Sequence, residues 1–231
     1  GTELLNWMRL GIADPHVIAD IGRLGDLRGI VLEGEVVTIG PLCTLNEIGT
    51  SDIVRRSMPV LSQACLAAAS AQLRNLATIG GNVLQKTRCP YFRAEAAGAK
   101  TMPWPCNKRV AGSGCAARDS GYTRLALFGT TEAGVAAQPS DPAVALAALD
   151  AIVEISGAGG ARTMPIADLL LTQEEAAAQG VGRLATDVAA LENRLQPGEV
   201  ITGFRVPADA AARRSAYLKV RERRSYEYAM V

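Results

Sequence analysis

The chain has 231 residues, 48% of them hydrophobic, which is enough for one large domain or two small ones with a substantial core. Its net charge of +1 lacks the basic surplus of nucleic-acid binders. No apolar run approaches the about eighteen residues of a membrane span, so we predict a soluble globular protein.

Five cysteines fit a secreted disulfide framework poorly. Cys43 and Cys65 have apolar and small neighbours, which predicts core thiols.

Helices and one hairpin are predicted in the first third of the chain. Residues 1–22 carry apolar side chains at helical spacing and predict a helix followed by a Pro-bounded second piece. Residues 29–40, GIVLEGEVVTIG, predict two short strands around a turn. Residues 44–77 predict two helices that separate near Met58. The first residues lack the pattern of a signal peptide.

Residues 86–124 form an insertion or long loop, rich in Gly, Pro, Arg and Lys and without sustained periodicity. Such a stretch is uncommon in a compact domain unless something ties it down. Cys89, Cys106 and Cys115 are candidates for that tie, spaced C-x16-C-x8-C among basic residues that favour thiolates. Their spacing is not that of ferredoxins or zinc ribbons, so by itself it indicates no particular metal.

Strands and one capped helix are predicted after the loop. Ser140 and Asp141 form a cap pair, with Pro142 in the first turn of the helix that follows. Strands are predicted within residues 125–131, 151–157, 161–165 and 197–207, and an Ala-rich helix within residues 172–180. The chain begins and stops within apparent elements, which suggests that both ends are cut.

Gly80 and Gly81 lie in ATIGGNVLQ, residues 77–85. Backbone without β-carbons can approach a ligand closely and turn its N–H groups toward an anion such as a pyrophosphate. The alternative is a plain turn at a helix-to-strand junction. The spacing is not G-x-G-x-x-G and the motif follows a helix, so a nicotinamide Rossmann site is not predicted. His16, the only histidine, is interpreted as a turn or helix-start residue, and no hydrolytic arrangement is visible.

SAQLRNLATIGGNVLQ resembles the central flavin motif of the FAD-binding subunits of molybdenum hydroxylases, the family that includes the medium subunits of carbon monoxide and xanthine dehydrogenases. GTELLNWMRLG, IGPLCTLNEI, PSDPAVALAALDA and YLKVRERRSYEYAMV agree with the family in order and spacing, so the resemblance covers essentially the whole chain. It implies an α+β, two-lobed FAD-binding fold of the vanillyl-alcohol oxidase / CO dehydrogenase flavoprotein type, plus a partial C-terminal α/β subdomain.

The resemblance also implies a division of the chain. Residues 1–22 would end a truncated N-terminal FAD-binding lobe, and residues 23–170 would form the central lobe with the cysteine-containing loop 86–124. Residues 171–231 would belong to a truncated C-terminal subdomain. FAD would lie extended between the N-terminal and central lobes.

Contacts to FAD are implied at several positions that match the family. Two loops would bind the diphosphate and ribityl region, a leucine would lie beside the cofactor, an acid would contact the adenosine end and a base would lie near the isoalloxazine. Gly1, Thr2, Glu3 and Leu4 match the first loop, and Thr78, Gly80, Gly81 and Asn82 match the second. Leu84 matches the leucine beside the cofactor, Asp141 the acid and Lys219 the base. Asp141 alone could be a helix cap and Lys219 a solvated position, and Tyr228 is a further candidate beside the flavin.

The cysteine loop resembles the extra loop of a subgroup typified by the periplasmic aldehyde oxidoreductase of enteric bacteria and 4-hydroxybenzoyl-CoA reductase, in which four cysteines hold a [4Fe–4S] cluster. Cys89, Cys106 and Cys115 match three of them, but Gly134 stands where the fourth is expected. A cluster with an oxygen or exogenous fourth ligand, a labile or three-iron cluster, loss of the cluster, and zinc all stay open.

The function implied by the resemblance is that of the FAD-binding electron-transfer subunit of a molybdenum-containing aldehyde/xanthine-type oxidoreductase. A molybdopterin-binding large subunit and a [2Fe–2S] small subunit would be its partners, and electrons would pass through FAD to an acceptor such as NAD⁺, oxygen, a quinone or a ferredoxin. The alternatives are a flavin-free scaffold that keeps the fold and a metal-binding module centred on residues 86–118. The sequence does not indicate a compartment.

Overall fold

The computed structural model describes residues 1–95, 103–121, 125–126, 128–172, 175 and 192–230. Its contacts divide the chain into two compact units. The loop unit comprises Gly1–Ala19, Gln85–Pro139 and Leu170–Arg194, and the sheet unit comprises Asp20–Leu84, Ser140–Leu169 and Leu195–Val231. The division into lobes at residues 1–22, 23–170 and 171–231 stays a prediction.

An antiparallel sheet forms the frame of the sheet unit. Its strands are β1 (Ile30–Glu33), β2 (Val36–Ile39), β3 (Ile152–Gly157), β4 (Gly160–Pro165) and β5 (Val200–Pro207). The strand order is β1-β2-β5-β3-β4, and every pair is antiparallel. The sequence predicts each of these strands. What it does not predict is that β5 lies between the two hairpins and joins them into one sheet.

The helices of both units are short. The sheet unit contains α2 (Leu45–Thr50), α3 (Asp52–Ser57), α4 (Pro59–Ala67), α5 (Ala71–Arg74), α6 (Ile79–Val83), α8 (Asp141–Ala148) and α9 (Ile166–Leu169); the loop unit contains α1 (Leu4–Arg9) and α7 (Ala116–Asp119). None of the helices in the described ranges is long and apolar enough to cross a bilayer.

Side-chain caps decide where several helices begin. Thr44 and Glu47 form a reciprocal capping box at α2, and Ser140 caps α8 by accepting a hydrogen bond from Ala143 N at 3.1 Å. The predicted break near Met58 is confirmed, but residues 44–77 form four helices rather than two. Ser51 and Ser70 cause the additional breaks, because each caps a new helix with its hydroxyl.

The core of the sheet unit takes buried side chains from both helices and strands. The fully buried residues include Leu45, Ile48, Leu61 and Leu146 from helices and Ile39, Val153 and Phe204 from strands. Helix α4 packs against α2 and α8. Burial of these apolar side chains is the main favourable contribution to folding of this unit.

Two predicted elements are wrong. The helix expected over residues 1–22 ends at Arg9 and no second piece follows, because Gly11 adopts a left-handed φ of 65° that terminates α1. The described residues of 125–131 contain no strand, and Gly129 there also has a positive φ, 67°. The Ala-rich helix expected at residues 172–180 lies almost entirely outside the described residues.

An ion pair joins β4 to the turn that precedes β5. Arg162 Nε and Nη2 donate to the two carboxylate oxygens of Glu199, each at 2.7 Å, and Gln196 N donates to the same carboxylate at 2.7 Å. The hydrogen bonds from Arg162 and then from Gln196 lower the pKa of Glu199 from 4.5 to about 2.

The stabilisation from Glu199 should depend on pH. Its folded-state pKa is depressed, so the contribution is present above pH 4.5 and is lost as the pH falls toward 2. We expect Glu199→Gln to lower the melting temperature near neutral pH, and the difference from the parent to shrink in acid. Thermal unfolding followed by circular dichroism over this pH range checks the prediction, with Glu33→Gln, exposed at the end of β1, as control. A difference that does not change with pH would contradict it.

Candidate functional site

The glycine motif is docked onto the chain that follows β2. Ile79 N donates to Cys43 O at 2.9 Å, and Gly80 N donates to Pro41 O at 3.0 Å. Thr78 caps α6, with its Oγ1 accepting a long hydrogen bond of 3.4 Å from Gly81 N. The N–H groups of Ile79, Gly80 and Asn82 are therefore used within the protein, and that of Gly81 makes only the long hydrogen bond to Thr78.

The two glycines have different surroundings. Gly80 is buried, and a Cβ there would lie 2.9 Å from Pro41 Cβ and 3.1 Å from Pro41 O. Gly81 is exposed, and a Cβ there would meet only Thr78 Oγ1, at 3.2 Å. Gly80 thus serves close packing of two backbone segments, whereas Gly81 leaves an open backbone surface beside Thr78 and Asn82.

Alanine substitutions should separate these two roles. Gly80→Ala forces Pro41 to shift, and we expect a loss of about 1–3 kcal/mol in the free energy of unfolding, as for overpacking. Gly81→Ala lies in a helix and meets only Thr78 Oγ1, at 3.2 Å, which a small shift of that side chain relieves, so the free energy of unfolding should stay within about 1 kcal/mol of the parent. Urea unfolding of both variants is the measurement, and equal destabilisation would contradict the distinction.

Asn82 is linked to the start of α8. Ser140 Oγ, the cap of that helix, donates to Asn82 Oδ1. Two segments expected to contact FAD are therefore joined by a side-chain hydrogen bond. Leu84, also expected near the cofactor, is half-buried at the end of α6.

Asp141 and Lys219 form a buried pair. Lys219 Nζ lies 2.9 Å from Asp141 Oδ2 and also donates to Ala67 O at 3.3 Å. Tyr217 donates its hydroxyl to Asp141 Oδ1 at 2.6 Å. Burial raises the pKa of Tyr217, and the Asp141 carboxylate adds to this effect. The hydroxyl therefore stays protonated and acts as a donor.

This pair corrects one detail of the sequence prediction. Side chains in direct contact cannot lie at opposite ends of an extended cofactor, as was expected for Asp141 at the adenosine and Lys219 at the isoalloxazine. Whether either contacts FAD stays a prediction. Sequence reasoning missed Tyr217, although its two-residue spacing from Lys219 is the available signal.

The N-terminal candidates lie in the loop unit. Gly1 and Thr2 are exposed and Leu4 is half-buried. Glu3 receives hydrogen bonds from Trp7 Nε1 at 2.9 Å and from Arg93 at 2.8 Å, and it pairs with Arg88 at 2.6 Å. Its carboxylate therefore fixes two arginines of the cysteine segment, the chain around Cys89. This role is separate from any contact of the Glu3 backbone with a ligand.

The three loop cysteines line one small cavity of about 20 Å³, and Gly134 lines the same cavity. Cys106 and Cys115 are opposite each other in an isolated antiparallel bridge. Burial raises the pKa of Cys89 and Cys106, and it is partly opposed by hydrogen bonds from backbone N–H groups to each sulfur. Those donors belong to Tyr91 and Phe92 for Cys89 and to Lys108 and Arg109 for Cys106.

A buried asparagine fixes the backbone around this cavity. Asn107 Nδ2 donates to Ala133 O at 2.9 Å, beside Gly134, while Asn107 Oδ1 accepts from Gly114 N at 2.9 Å, beside Cys115. Its own N–H donates to Gly114 O at 2.8 Å. One side chain thus holds three parts of the cavity wall together. Sequence reasoning missed it, and its position directly after Cys106 is the only signal.

A buried ion-pair group borders the cavity through Lys108. Glu192 accepts from both Lys86 and Lys108 at 2.7 Å. Burial alone would raise the pKa of Glu192, but Lys108 and then Lys86 outweigh it, so the pKa is lowered. Glu192 therefore remains a carboxylate, and the charge of the group is positive.

The donor set does not suit a single metal ion. Within the described ranges, no group of three or more His, Cys, Asp or Glu side chains is arranged to hold one. A zinc ion needs its sulfurs at about 2.3 Å from one point. In an iron–sulfur cluster each cysteine binds a different iron, so the sulfurs are more widely spaced around a larger group. Cys89, Cys106 and Cys115 line one cavity, and backbone N–H groups donate to the sulfurs of Cys89 and Cys106.

The sequence is similar to a family of FAD-binding domains and to subunits of two bacterial oxidoreductases. Residues 1–209 match the family described as the FAD binding domain in molybdopterin dehydrogenase. The chain is 39% identical, over 100% of its length and 67% of the relative, to the aldehyde oxidoreductase FAD-binding subunit PaoB of Escherichia coli K12. It is 41% identical over 36% of its length to the carbon monoxide dehydrogenase medium chain of Hydrogenophaga pseudoflava, of which that match covers 29%.

Solved structures show the same fold. Carbon monoxide dehydrogenase from Hydrogenophaga pseudoflava superposes with a TM-score of 0.59 at 24% identity, over 98% of this chain and 55% of that chain. Quinoline 2-oxidoreductase from Pseudomonas putida 86 also gives 0.59, at 15% identity, over 97% and 55%. The chain therefore spans about half the length of these solved chains.

The chain belongs to the family of FAD-binding domains in molybdopterin dehydrogenases. The family resemblance and the α+β FAD-binding fold predicted from the sequence are confirmed. The contacts predicted for individual residues stay predictions.

Proposed function

We propose that this chain binds FAD and transfers electrons as the FAD-binding subunit of a molybdenum-containing aldehyde/xanthine-type oxidoreductase. The observation that supports this function best is the open backbone at Gly81, in the glycine motif of a chain that belongs to an FAD-binding family. The FAD-binding subunit of the aldehyde oxidoreductase aligns over the whole chain, which favours an aldehyde as the substrate of the complex.

The residues that would hold FAD belong to two groups. The exposed backbone of Gly1 and Thr2 suits a pyrophosphate, with Leu4 beside it. Gly81, with the hydroxyl of Thr78 and the amide of Asn82, would bind the diphosphate and ribityl region, and Leu84 would offer apolar contact. Ser140 orients Asn82, and Gly80 and Glu3 act through packing and ion pairs. When bound, FAD supplies the exchange between one- and two-electron steps, while the protein positions it.

The expected partners are a molybdopterin-binding large subunit and a [2Fe–2S] small subunit. The relatives are named as FAD-binding subunits and medium chains, which indicates proteins that work within larger enzymes. In this assembly the substrate reacts at the molybdenum of another subunit. The present chain receives the electrons and passes them to an external acceptor.

Leucine at Gly81 should remove FAD without unfolding the protein. The side chain would occupy the open backbone surface, whereas Gly25→Leu, at an exposed glycine with nothing within 4 Å of its Cβ, should have no effect. We expect the full-length parent and Gly25→Leu to purify yellow with one FAD each. Gly81→Leu should lose at least about 90% of the flavin. Each tenfold fall in affinity corresponds to about 1.4 kcal/mol of lost binding free energy.

Absorbance at the flavin bands, with circular dichroism as a folding check, provides the measurement. A full-length parent that stays colourless after incubation with excess FAD would contradict flavin binding and favour the scaffold alternative. Full FAD retention by Gly81→Leu would contradict the site but not the function.

We further propose that the loop unit holds a [4Fe–4S] cluster through Cys89, Cys106 and Cys115. The shared cavity, the N–H donors to Cys89 and Cys106, and the positive group at Lys108 all suit thiolate ligands and an anionic cluster. Its chemistry when bound would be one-electron transfer.

Removing the amide of Asn107 should weaken cluster retention. Asn107→Ala leaves Ala133 O and Gly114 N without their side-chain partner, at a cost of about 1–3 kcal/mol. We expect a several-fold faster loss of iron on exposure to a chelator, with the FAD content unchanged. Asn75→Ala, at an exposed residue after α5, is the control. Iron release at the parent rate would contradict the role of Asn107.

A further inference from the structure

We infer that one iron of the proposed cluster, the one facing Gly134, has no protein side chain as ligand and is open to a small anion from solution. This inference rests on the proposed cluster. The inference goes beyond that proposal because it assigns an exchangeable ligand site to one iron of the cluster. The observation behind it is that Gly134 lines the same cavity as Cys89, Cys106 and Cys115.

The position of Gly134 is well defined. Its N–H donates to Thr131 O and its carbonyl accepts from Thr131 N, both at 3.1 Å. The preceding residue, Ala133, is held by the side chain of Asn107 at 2.9 Å. The backbone that faces the cysteines is therefore fixed by three hydrogen bonds.

Glycine at this position is not required by the backbone. The φ of Gly134 is not positive, unlike that of Gly112, Gly114 or Gly129 in the same unit. A φ outside the left-handed region carries no such strain for an L-residue such as cysteine. The consequence of glycine here is chemical, because it leaves the corner without a side chain.

No other described residue of the cavity wall is suited to replace a thiolate. Besides the cysteines, the lining contains apolar residues together with Asn107 and Lys108. The amide of Asn107 is bound to backbone on both sides, and Lys108 pairs with Glu192. The nearby carboxylate of Glu132 is 89% exposed and pairs with Arg118.

The charge of the cavity wall favours an anion as the exchangeable ligand. Lys108 is a cation with its side chain 9% exposed, and cations and backbone N–H groups stabilise bound anions. Hydroxide and small thiolates are the ligands of this class that bind iron. We therefore expect hydroxide in buffer, replaced by a thiolate when a small thiol is added.

An iron with no protein ligand should be the first to leave on oxidation. The step is [4Fe–4S]²⁺ → [3Fe–4S]⁺ + Fe²⁺ + e⁻, with ferricyanide accepting the electron and becoming ferrocyanide. The three cysteine thiolates and all four sulfides stay bound. Ferrous iron and dithionite should reverse the reaction.

The test compares the parent with Gly134→Cys and Gly134→Ala in the full-length co-purified complex. Ala adds bulk without a ligand, and Cys adds the thiolate. After titration with ferricyanide, we expect the parent and Gly134→Ala to fall from about four irons to about three and to show the EPR signal of a three-iron cluster. Gly134→Cys should keep about four irons and show at least a several-fold weaker signal.

A second measurement examines ligand exchange. Addition of 2-mercaptoethanol should change the EPR spectrum of the reduced cluster in the parent but not in Gly134→Cys. Equal iron loss in all three proteins, or a parent spectrum insensitive to the thiol, would overturn the open corner while leaving the cluster intact. Absence of iron and sulfide from the anaerobically purified parent would overturn the cluster as well, and FAD content would report separately on the flavin function.

Discussion

The docking of the glycine motif onto residues 41–43 is the constraint on which the proposed flavin site depends. The amides of Ile79 and Gly80 are bound to carbonyls of that segment, and no side chain fits at Gly80 because Pro41 lies too close. This close approach fixes α6 and leaves Gly81 facing outward. The pair of glycines therefore combines two requirements in adjacent residues, one for packing and one for access.

The loop unit shows how a segment with few apolar residues can be ordered by polar contacts. Its small core contains Phe92 and the cysteines, and two carboxylates of the unit each engage two cations. Glu3 binds Arg88 and Arg93, and Glu192 binds Lys86 and Lys108. Removing one member of such a group leaves an uncompensated charge, so these contacts favour a single arrangement of the loop over many similar ones.

These polar contacts also link the two proposed functions of the loop unit. Glu3 follows Gly1 and Thr2, which are proposed to face the diphosphate of FAD, and it binds the arginine that directly precedes Cys89. Lys108 contributes its backbone N–H to Cys106 and its side chain to Glu192. Glu3 therefore connects the residues proposed to face FAD with the segment that precedes Cys89.

The sequence by itself determined the local features and the family. The cap at Ser140, the hairpin of β1 and β2, and the ordered motifs are all properties of short segments, so local rules and resemblance were enough to predict them. The two wrong predictions, the helix over residues 1–22 and the strand over residues 125–131, also concern short segments. They failed because the sequence does not show which glycines, here Gly11 and Gly129, adopt a positive φ.

Only the tertiary structure decided which distant residues meet. The insertion of β5 between the two hairpins, the different surroundings of Gly80 and Gly81, the contact of Asp141 with Tyr217 and Lys219, and the position of Asn107 all depend on segments far apart in the chain. Hydrophobic periodicity shows which face of an element is buried but not what it is buried against. The physical reason is that these contacts are selected by the packing of the whole unit, in which each close approach is possible only when the others have formed.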